Sequence, residues 1–235
     1  MDSKNVAAAT SFAGNVDRLL AKLDCRRIET EADLDLVLRL RYSAYLKEGA
    51  ISPNDSCRLV DRFDMLDNAV NIGVFHEDSL VAAMRIHFLS SESDVSPSLA
   101  AFPDILGPYL EAGKRMVDPN RFVVDYETAR KFPHLAYVTM RLSVIASAYY
   151  AANISIASIR VEHQAFYKRA FFATAAAAPR DYPGLTKKLC LMLVDYEKNR
   201  DRIIERGPFY ASALEEQKQL FGKIKVDRSQ NAAAA

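Results

Sequence analysis

Missing from this 235-residue sequence is any surplus of charge of one sign: 31 lysines and arginines stand against 30 aspartates and glutamates, for a formal net charge of +1. Bulk attraction to nucleic acid or to an anionic membrane is therefore not expected, and any basic patch has to be local. Cysteine is scarce. The three present, Cys25, Cys57 and Cys190, are odd in number, widely spaced and outside any metal-ligand pattern, which argues against a disulfide framework or a metal site and fits a reducing cytoplasm. Long apolar runs are absent as well. The stretch Val144 to Ala152 includes Ser147 and two tyrosines and falls short of the roughly 20 residues that a membrane-spanning helix needs. Near the start only Val6 to Ala9 is apolar, so no signal peptide is expected. No internal repeat is evident.

Half of the residues are hydrophobic, enough to bury one large core. The pattern predicts an N-terminal helical extension over 1–24, a single domain over 25–225 and a disordered tail over 226–235, which ends in the low-complexity run Asn231 to Ala235. Asn15 to Asp24 has helical spacing, and Cys25 to Ile28 reads as a first strand. Thr30 is a good N-cap for a helix that runs to about Glu48 before Gly49 and carries Arg41 and Tyr45 on its apolar stripe, at the rim of the core. Arginine on such a stripe ordinarily snorkels to solvent. A Ser-Pro-Asn-Asp-Ser loop leads to Asp61 and Asp64.

Two strands follow, Val70 to Phe75 and Leu80 to Phe88, joined as a hairpin. Alternation puts Leu80, Ala82, Met84 and Ile86 on one face and Val81, Ala83, Arg85 and His87 on the other. Ser90 to Lys114 is a long connection with a short helix around Pro103 to Glu111, of the kind that often carries function. Then comes Asp118-Pro119-Asn120-Arg121-Phe122-Val123-Val124-Asp125, where a polar site meets a core strand. Residues three apart in a straight strand face opposite ways, so a bend at Pro119-Asn120 is needed to turn Asp118 and Arg121 to one cleft. Leu135 to Ala152 is the strongest helix pattern, Ile154 to Ile159 fits a central strand, and Val161 to Phe172 reads as a helix with His163, Phe166 and Tyr167. Ala173 to Ala178 has no clear assignment. Lys188 to Tyr196 reads as the last strand, and Glu197 to Ile224 as mostly charged helix. The order gives an α/β fold with a central mixed, mostly antiparallel sheet.

Arg41 in the first main helix, the Asp61-xx-Asp64 pair, Arg85 near the end of a hairpin strand and Asp118-xx-Arg121-Phe122, taken in that order, resemble the acyl-homoserine-lactone synthases and their relatives, the bacterial N-acyl amino acid synthases. The resemblance covers roughly Arg27 to Tyr196. It departs at Asp118, where the lactone synthases carry Glu, and in the absence of a tryptophan after the first-helix arginine. The segments from Val161 to Arg169 and from Pro179 to Leu185 look more like the N-acyl amino acid synthase branch. The resemblance implies an N-acetyltransferase-like fold with helices on both faces of the sheet.

It also implies a soluble, cytoplasmic acyltransferase that binds no cofactor and takes an acyl thioester as donor. Coenzyme A users in this fold place a glycine-rich turn before the long helix, where backbone N–H groups hold the pyrophosphate. Here that segment, Tyr126 to Leu135, has no glycine. An acyl-phosphopantetheine thioester on acyl carrier protein is the expected donor, and Arg130, Lys131, Lys168, Arg169, Lys187 and Lys188 are candidates for docking that acidic partner. A small amino acid is the expected acceptor. Its α-amine has a pKa of about 8, so losing a proton at pH 7 costs only about 1.4 kcal/mol, and Asp118 is a sufficient base. Amides exposed by a bend near Arg121 would stabilise the oxyanion. Tyr167 matches the tyrosine that protonates the leaving thiolate in many N-acetyltransferases; a phenol near pKa 10 against a thiol near 8.5 makes it a helpful donor, uphill by about 2 kcal/mol.

Arg41, Tyr45, Asp61, Asp64, Arg85, Phe122 and Val123 are the expected substrate-binding residues, and the arginines and aspartates equally fit a structural ion-pair network. Among the histidines His87 is the better candidate for chemistry and His163 the structural one. Lactone synthesis from S-adenosylmethionine and a non-catalytic acyl-binding module of the same fold stay open as alternatives.

Overall fold

The computed structural model describes residues 11–222. The expected tail and the first ten residues of the expected N-terminal extension lie outside the described residues. Helix α1, Phe12–Leu20, is capped by Ser11 and buries Val16 and Leu19. Strand β1, Asp24–Arg27, leads to α2, Glu31–Lys47, whose cap Thr30 accepts from the Asp33 amide as its sequence predicts. The left-handed Gly49, φ 62°, follows the end of α2.

β2, Ala69–His76, and β3, Ser79–Leu89, form a hairpin. Its turn residues Glu77 and Asp78 both have positive φ, 49° and 63°, matching the two-residue turn whose twist suits flanking strands. The register shifts between Val74, which pairs with Ala82, and Phe75, which pairs with Leu80, leaving Val81 as the extra residue. This bulge changes the expected alternation: Val81 joins the cluster of Ala82, Met84 and Ile86, while Leu80 packs with Ala83 and Val37.

The long connection contains two short helices, α3, Pro97–Ala101, and α4, Pro103–Glu111. β4, Met116–Val124, is followed by α5, Tyr126–Lys131, and by α6, Leu135–Tyr149, which is buried on almost all sides. β5, Ile154–Ile159, leads through a 3-10 turn at Val161–His163 into α7, Gln164–Phe171. The alanine-rich segment is a strand, β6, Thr174–Arg180, paired with β7, Leu189–Asp195. Alanine carries little strand preference of its own, and pairing along the open edge of β7 decides its state. The charged C-terminal stretch is two helices, α8, Tyr196–Arg206, and α9, Leu214–Phe221. Gly207 and Pro208 break it, and Phe209 and Tyr210 are buried between the halves.

The seven strands run β1-β2-β3-β4-β5-β7-β6. Every neighbouring pair is antiparallel except β4 and β5, which are parallel and pair only at Met116 with Ile154 and Val117 with Ser155. Beyond those two pairs the central strands part. Helices cover both faces: α6, with α1 and α9 beside it, lies against the face of Met84 and Ile86, and α2 lies against that of Ala83 and Val123. A second apolar cluster joins α4 to β5 and β7 through Leu106, Ile156 and Leu191. This is an N-acetyltransferase-like architecture, split at its centre. No described helix is long and apolar enough to cross a membrane.

Candidate active site

The site is built where β4 departs from regular pairing. Ala83 opposes Val123 and Arg85 opposes Asn120, so Arg121 and Phe122 together face Met84. Arg121 adopts a φ of 50°, a left-handed conformation that a non-glycine residue rarely holds without surrounding support. The bend thus falls at Arg121, while Pro119 keeps its place in the ladder opposite Ile86.

Behind the bulge lies a buried ion-pair network. Arg41, at the core rather than at its rim, is 0% exposed and its Nη1 donates to Asp64 Oδ1 at 2.6 Å. Its Nη2 reaches Asn71 on β2. Arg85 donates through Nη1 to Asp61 Oδ1 at 2.7 Å, lies 2.6 Å from Asp64 Oδ1, and gives Nε to Asn120 Oδ1 at 2.7 Å. Arg121 donates Nε and Nη2 to Asp61 Oδ2 at 3.0 and 2.6 Å. Burial works against ionisation of Asp61, but the hydrogen bonds and charges of Arg85 and Arg121 outweigh it and hold its pKa well below the usual carboxylate range. Burial likewise lowers the Arg41 pKa, with Asp64 opposing the shift.

Three guanidinium groups thus share two carboxylates. Arg121 is 3% exposed, and its Nη1 is buried without a hydrogen-bond partner among the described residues. The turn at Tyr182-Pro183-Gly184 closes over this side chain: the Pro183 carbonyl accepts from Nη2 at 3.0 Å, and a Cβ on Gly184 would lie 2.9 Å from the same nitrogen. Tyr45 presents its ring to the Arg121 guanidinium, with the ring centre 5.6 Å away.

His87 takes no part in the cavity. Its Nε2 faces the Phe63 carbonyl at 3.2 Å and its Nδ1 faces Asn120 Nδ2 at 3.0 Å, an arrangement suited to a neutral ring. Burial, reinforced by the Arg85 charge, pushes its pKa down to about 3. It is a structural histidine, and His163 is the one that reaches the cavity wall.

Asp118 is 0% exposed and stands apart from both the network and the cavity lining. Its Oδ1 accepts from Ser98 Oγ at 2.7 Å and its Oδ2 from the Ser98 amide at 3.2 Å. Burial raises its pKa, and hydrogen bonds from Ser96 and Ser98 offset that only in part. Ser98 Oγ also lies 2.7 Å from Ser158 Oγ on β5 and 3.1 Å from Tyr182 Oη. Nothing in the spacing of the sequence ties Ser98 to an acid 20 positions later.

Between the parted strands lies a cavity of about 790 Å³, within the range of small-molecule sites. The walls are β4 from Pro119 to Val124, β5 from Ser155 to Ile159, and apolar residues of α6 and α7. Tyr45, Arg121, Phe122, Val123 and Tyr167 all line it. Past Val117 the β5-facing edge of β4 has no strand partner among the described residues. Tyr167 Oη donates weakly to Met140 Sδ at 3.5 Å, and burial raises its pKa, which keeps the phenol protonated. Among the six expected docking cations Lys187 lines the cavity. Arg130, Lys131, Lys168, Arg169 and Lys188 are exposed outside the lining, with Arg130 and Lys188 near Glu127 and Asp181. Lys47 and Arg160, which the sequence did not single out, join Lys187 in the lining.

Comparison with known proteins places this geometry. No curated protein matches by sequence. Among solved structures, FeeM, an N-acyl amino acid synthase from uncultured soil microbes, is similar with a TM-score of 0.66 at 16% identity, over 80% of this chain and 97% of that one. TofI, solved in a ternary complex with an inhibitor and MTA, gives 0.58 at 15% identity over 81% and 100%. BjaI, a CoA-dependent acyl-homoserine lactone synthase solved with SAM and isopentyl-CoA, gives 0.56 at 16% identity over 79% and 90%. These likenesses show the shared fold. The family described as N-acyl amino acid synthase FeeM matches residues 37–195, the span that holds the ion-pair network, the bulged β4 and the split between β4 and β5. The chain therefore belongs to the FeeM N-acyl amino acid synthase family and is an acyltransferase.

Proposed function

We propose that this acyltransferase moves a fatty acyl chain from the phosphopantetheine thioester of acyl carrier protein to the α-amine of an amino acid. The observation that carries the reading is the buried, unpartnered Nη1 of Arg121, a residue that lines the cavity where three buried cations face two carboxylates. A buried donor of this kind is costly unless a ligand satisfies it, and an acceptor carboxylate supplies both the hydrogen bond and the missing negative charge. The apolar walls beside it suit an acyl tail.

The donor assignment rests on the segment after β4. It closes into α5, whose N-terminus is capped by Asp125 through the Thr128 amide and hydroxyl, and it holds no glycine turn open for a pyrophosphate. A single phosphodiester needs less of the backbone. Lys47, Arg160 and Lys187, with the exposed Arg130, Lys131, Lys168, Arg169 and Lys188, supply cations for docking an acidic carrier protein in the reducing cytoplasm.

In this mechanism the acceptor's carboxylate is held by Arg121 and its amine faces the thioester in the split between β4 and β5. Arg41, Arg85, Asp61 and Asp64 fix the Arg121 guanidinium, and Tyr45 stacks beside it. Asp118 is the final proton acceptor. Open amides on β4 near Phe122 and Val123 stabilise the oxyanion, and Tyr167 assists the leaving thiolate. The test is incubation with long-chain acyl carrier thioesters and an amino-acid mixture, followed by thiol titration and mass spectrometry. Free thiol together with N-acyl amino acid is expected. Product from coenzyme A thioesters alone would overturn the donor, and methylthioadenosine release from added S-adenosylmethionine would overturn the acceptor.

A further inference from the structure

Asp118 has a chemical role assigned to it but no surface on the cavity, so any proton it receives has to cross other groups. Two hydroxyls bridge the gap. Ser98 Oγ touches the Asp118 carboxylate at 2.7 Å on one side and Ser158 Oγ at 2.7 Å on the other, and Ser158 lines the cavity. Hydrogen-bond counting fixes the direction of the chain when Asp118 is ionised. Ser98 has one proton, which goes to the carboxylate, so its lone pairs accept the hydroxyl protons of Ser158 and Tyr182. Ser158 Oγ then keeps free lone pairs on the cavity side, ready to accept from an ammonium.

We propose that Ser158 and Ser98 form a hydroxyl relay that carries the acceptor's ammonium proton from the cavity to Asp118. This rests on the N-acyl transfer reading above. The transfer is three concerted hops: nitrogen to Ser158 Oγ, Ser158 to Ser98 Oγ, and Ser98 to Asp118. Each hydroxyl gives up one proton and gains one, Asp118 becomes a neutral acid, and the freed nitrogen lone pair forms the C–N bond; as the C–S bond breaks, the nitrogen's second proton passes to the departing thiolate, leaving a neutral amide and a free thiol. The proton returns along the same hydroxyls to water once the product has left.

Burial raises the Asp118 pKa and makes it a stronger base than an exposed aspartate. The neighbouring groups do not short-circuit the chain. Arg85 favours the ionised carboxylate from β3, and His87 directly across the ladder is occupied by Asn120 and Phe63. Tyr182 feels the charges of Asp118, Arg121 and Tyr45, and burial raises its pKa, so it stays a donor to Ser98. Ser96 also favours the ionised carboxylate. Ser98 acts through Asp118 and is a positioning residue.

The experiment is kcat/KM for the amino acid between pH 6.5 and pH 9.5 in the wild type and in Ser98→Ala, Ser98→Thr and Ser158→Ala. With the relay intact the enzyme uses the ammonium form, and its profile is flat from pH 6.5 up to the pKa of the acceptor's own amine. Without the relay only neutral amine reacts. Ser98→Ala and Ser158→Ala then rise roughly tenfold per pH unit up to the pKa of the acceptor's own amine, and their deficit against wild type shrinks by at least about tenfold between pH 7 and pH 9. Ser98→Thr keeps the hydroxyl and the flat profile. A deficit that does not change with pH, or a wild-type profile that already rises tenfold per unit, overturns the relay. Ser158→Ala, at a partly exposed position, decides the matter if Ser98→Ala does not fold. A wild type without thiol release refutes the transfer reading itself, which separates the two failures.

Discussion

Replacing Arg121 by Gln removes a cavity-lining cation whose buried Nη1 has no hydrogen-bond partner among the described residues. If its Nη1 binds the acceptor carboxylate, the variant loses a charge-assisted hydrogen bond worth about 1.5–3 kcal/mol, or roughly 10- to 150-fold in kcat/KM. The same substitution strips Asp61 of one of its two arginines, and Arg85 retains its two bonds to that carboxylate at 2.7 and 3.1 Å. Breaking a buried pair costs up to about 3–5 kcal/mol of stability, so a loss of activity alone proves nothing about substrate. The informative measurement is a cycle on one enzyme preparation: kcat/KM by thiol release for an amino acid and for the primary amine with the same side chain but no carboxylate. Loss of folded protein cancels in that ratio. The wild type should prefer the amino acid by the full 10- to 150-fold, and Arg121→Gln should show a preference below about threefold. Equal losses for both acceptors would refute the carboxylate assignment and leave Arg121 as a structural member of the network.

Tyr167→Phe deletes a hydroxyl whose hydrogen bond goes to Met140 Sδ at 3.5 Å, so the fold should be unaffected; the raised phenol pKa makes full proton transfer to a thiolate steeply uphill, and kcat should fall only about 5- to 30-fold with KM unchanged, a loss beyond about 10⁴-fold in single-turnover kinetics contradicting an assisting role. Gly184→Val forces a side chain onto a residue with φ of 71° and within 2.9 Å of Arg121 Nη2, and initial rates should show KM for the amino acid rising more than about tenfold while KM for the acyl donor stays put. His87 is depressed to about pKa 3 in the folded protein, so below the ordinary value of about 6.5 the unfolded chain binds a proton that the native one refuses; stability falls as pH drops, by about 2 kcal/mol between pH 7 and pH 5 in urea unfolding, and His87→Gln should lose that part of the slope.

The elements that local chemistry specifies were legible in the sequence. Thr30 as a cap, Gly49 as a stop, and the β-branched run Ile154 to Ile159 each settle their own state, and the structure has α2 and β5 where these residues put them. What stayed hidden depended on partners far along the chain. The alanines of β6 become a strand only because β7 offers an edge, and the break at Gly207-Pro208 is consolidated by Phe209 and Tyr210 entering a core formed by α1 and α6. The ordered set Arg41, Asp61, Asp64, Arg85 and Arg121 was visible as a pattern of residue types, and the structure joins those five in one buried network. The polar contacts of Asp118 were not visible. Ser98 on α3 touches the carboxylate and in turn meets Ser158 on β5 and Tyr182 in the turn after β6, three segments that come together through the sheet order β4-β5-β7-β6.

The bulge at Arg121 is the physical reason for that division. A regular strand would send Asp118 and Arg121 to opposite faces and leave Arg121 with the apolar face of Met84. One extra residue on β4 instead turns the guanidinium into the split between β4 and β5, while Asp118, ahead of the bulge, keeps its regular place opposite His87. Had both charged groups reached the cavity, they would have been free to pair with each other, consuming the cation and the base that the proposed reaction assigns to the acceptor's carboxylate and ammonium. Separated, the arginine remains under-neutralised and the aspartate remains wrapped in hydroxyls. The left-handed φ at Arg121 is therefore better placed as part of the mechanism than as a defect of the strand: restoring regular pairing by deleting Phe122 should cost activity even where it gains stability. That variant is read by comparing its unfolding midpoint with its rate of thiol release, and a deletion that keeps both wild-type turnover and wild-type preference for amino acids would show the bulge to be incidental.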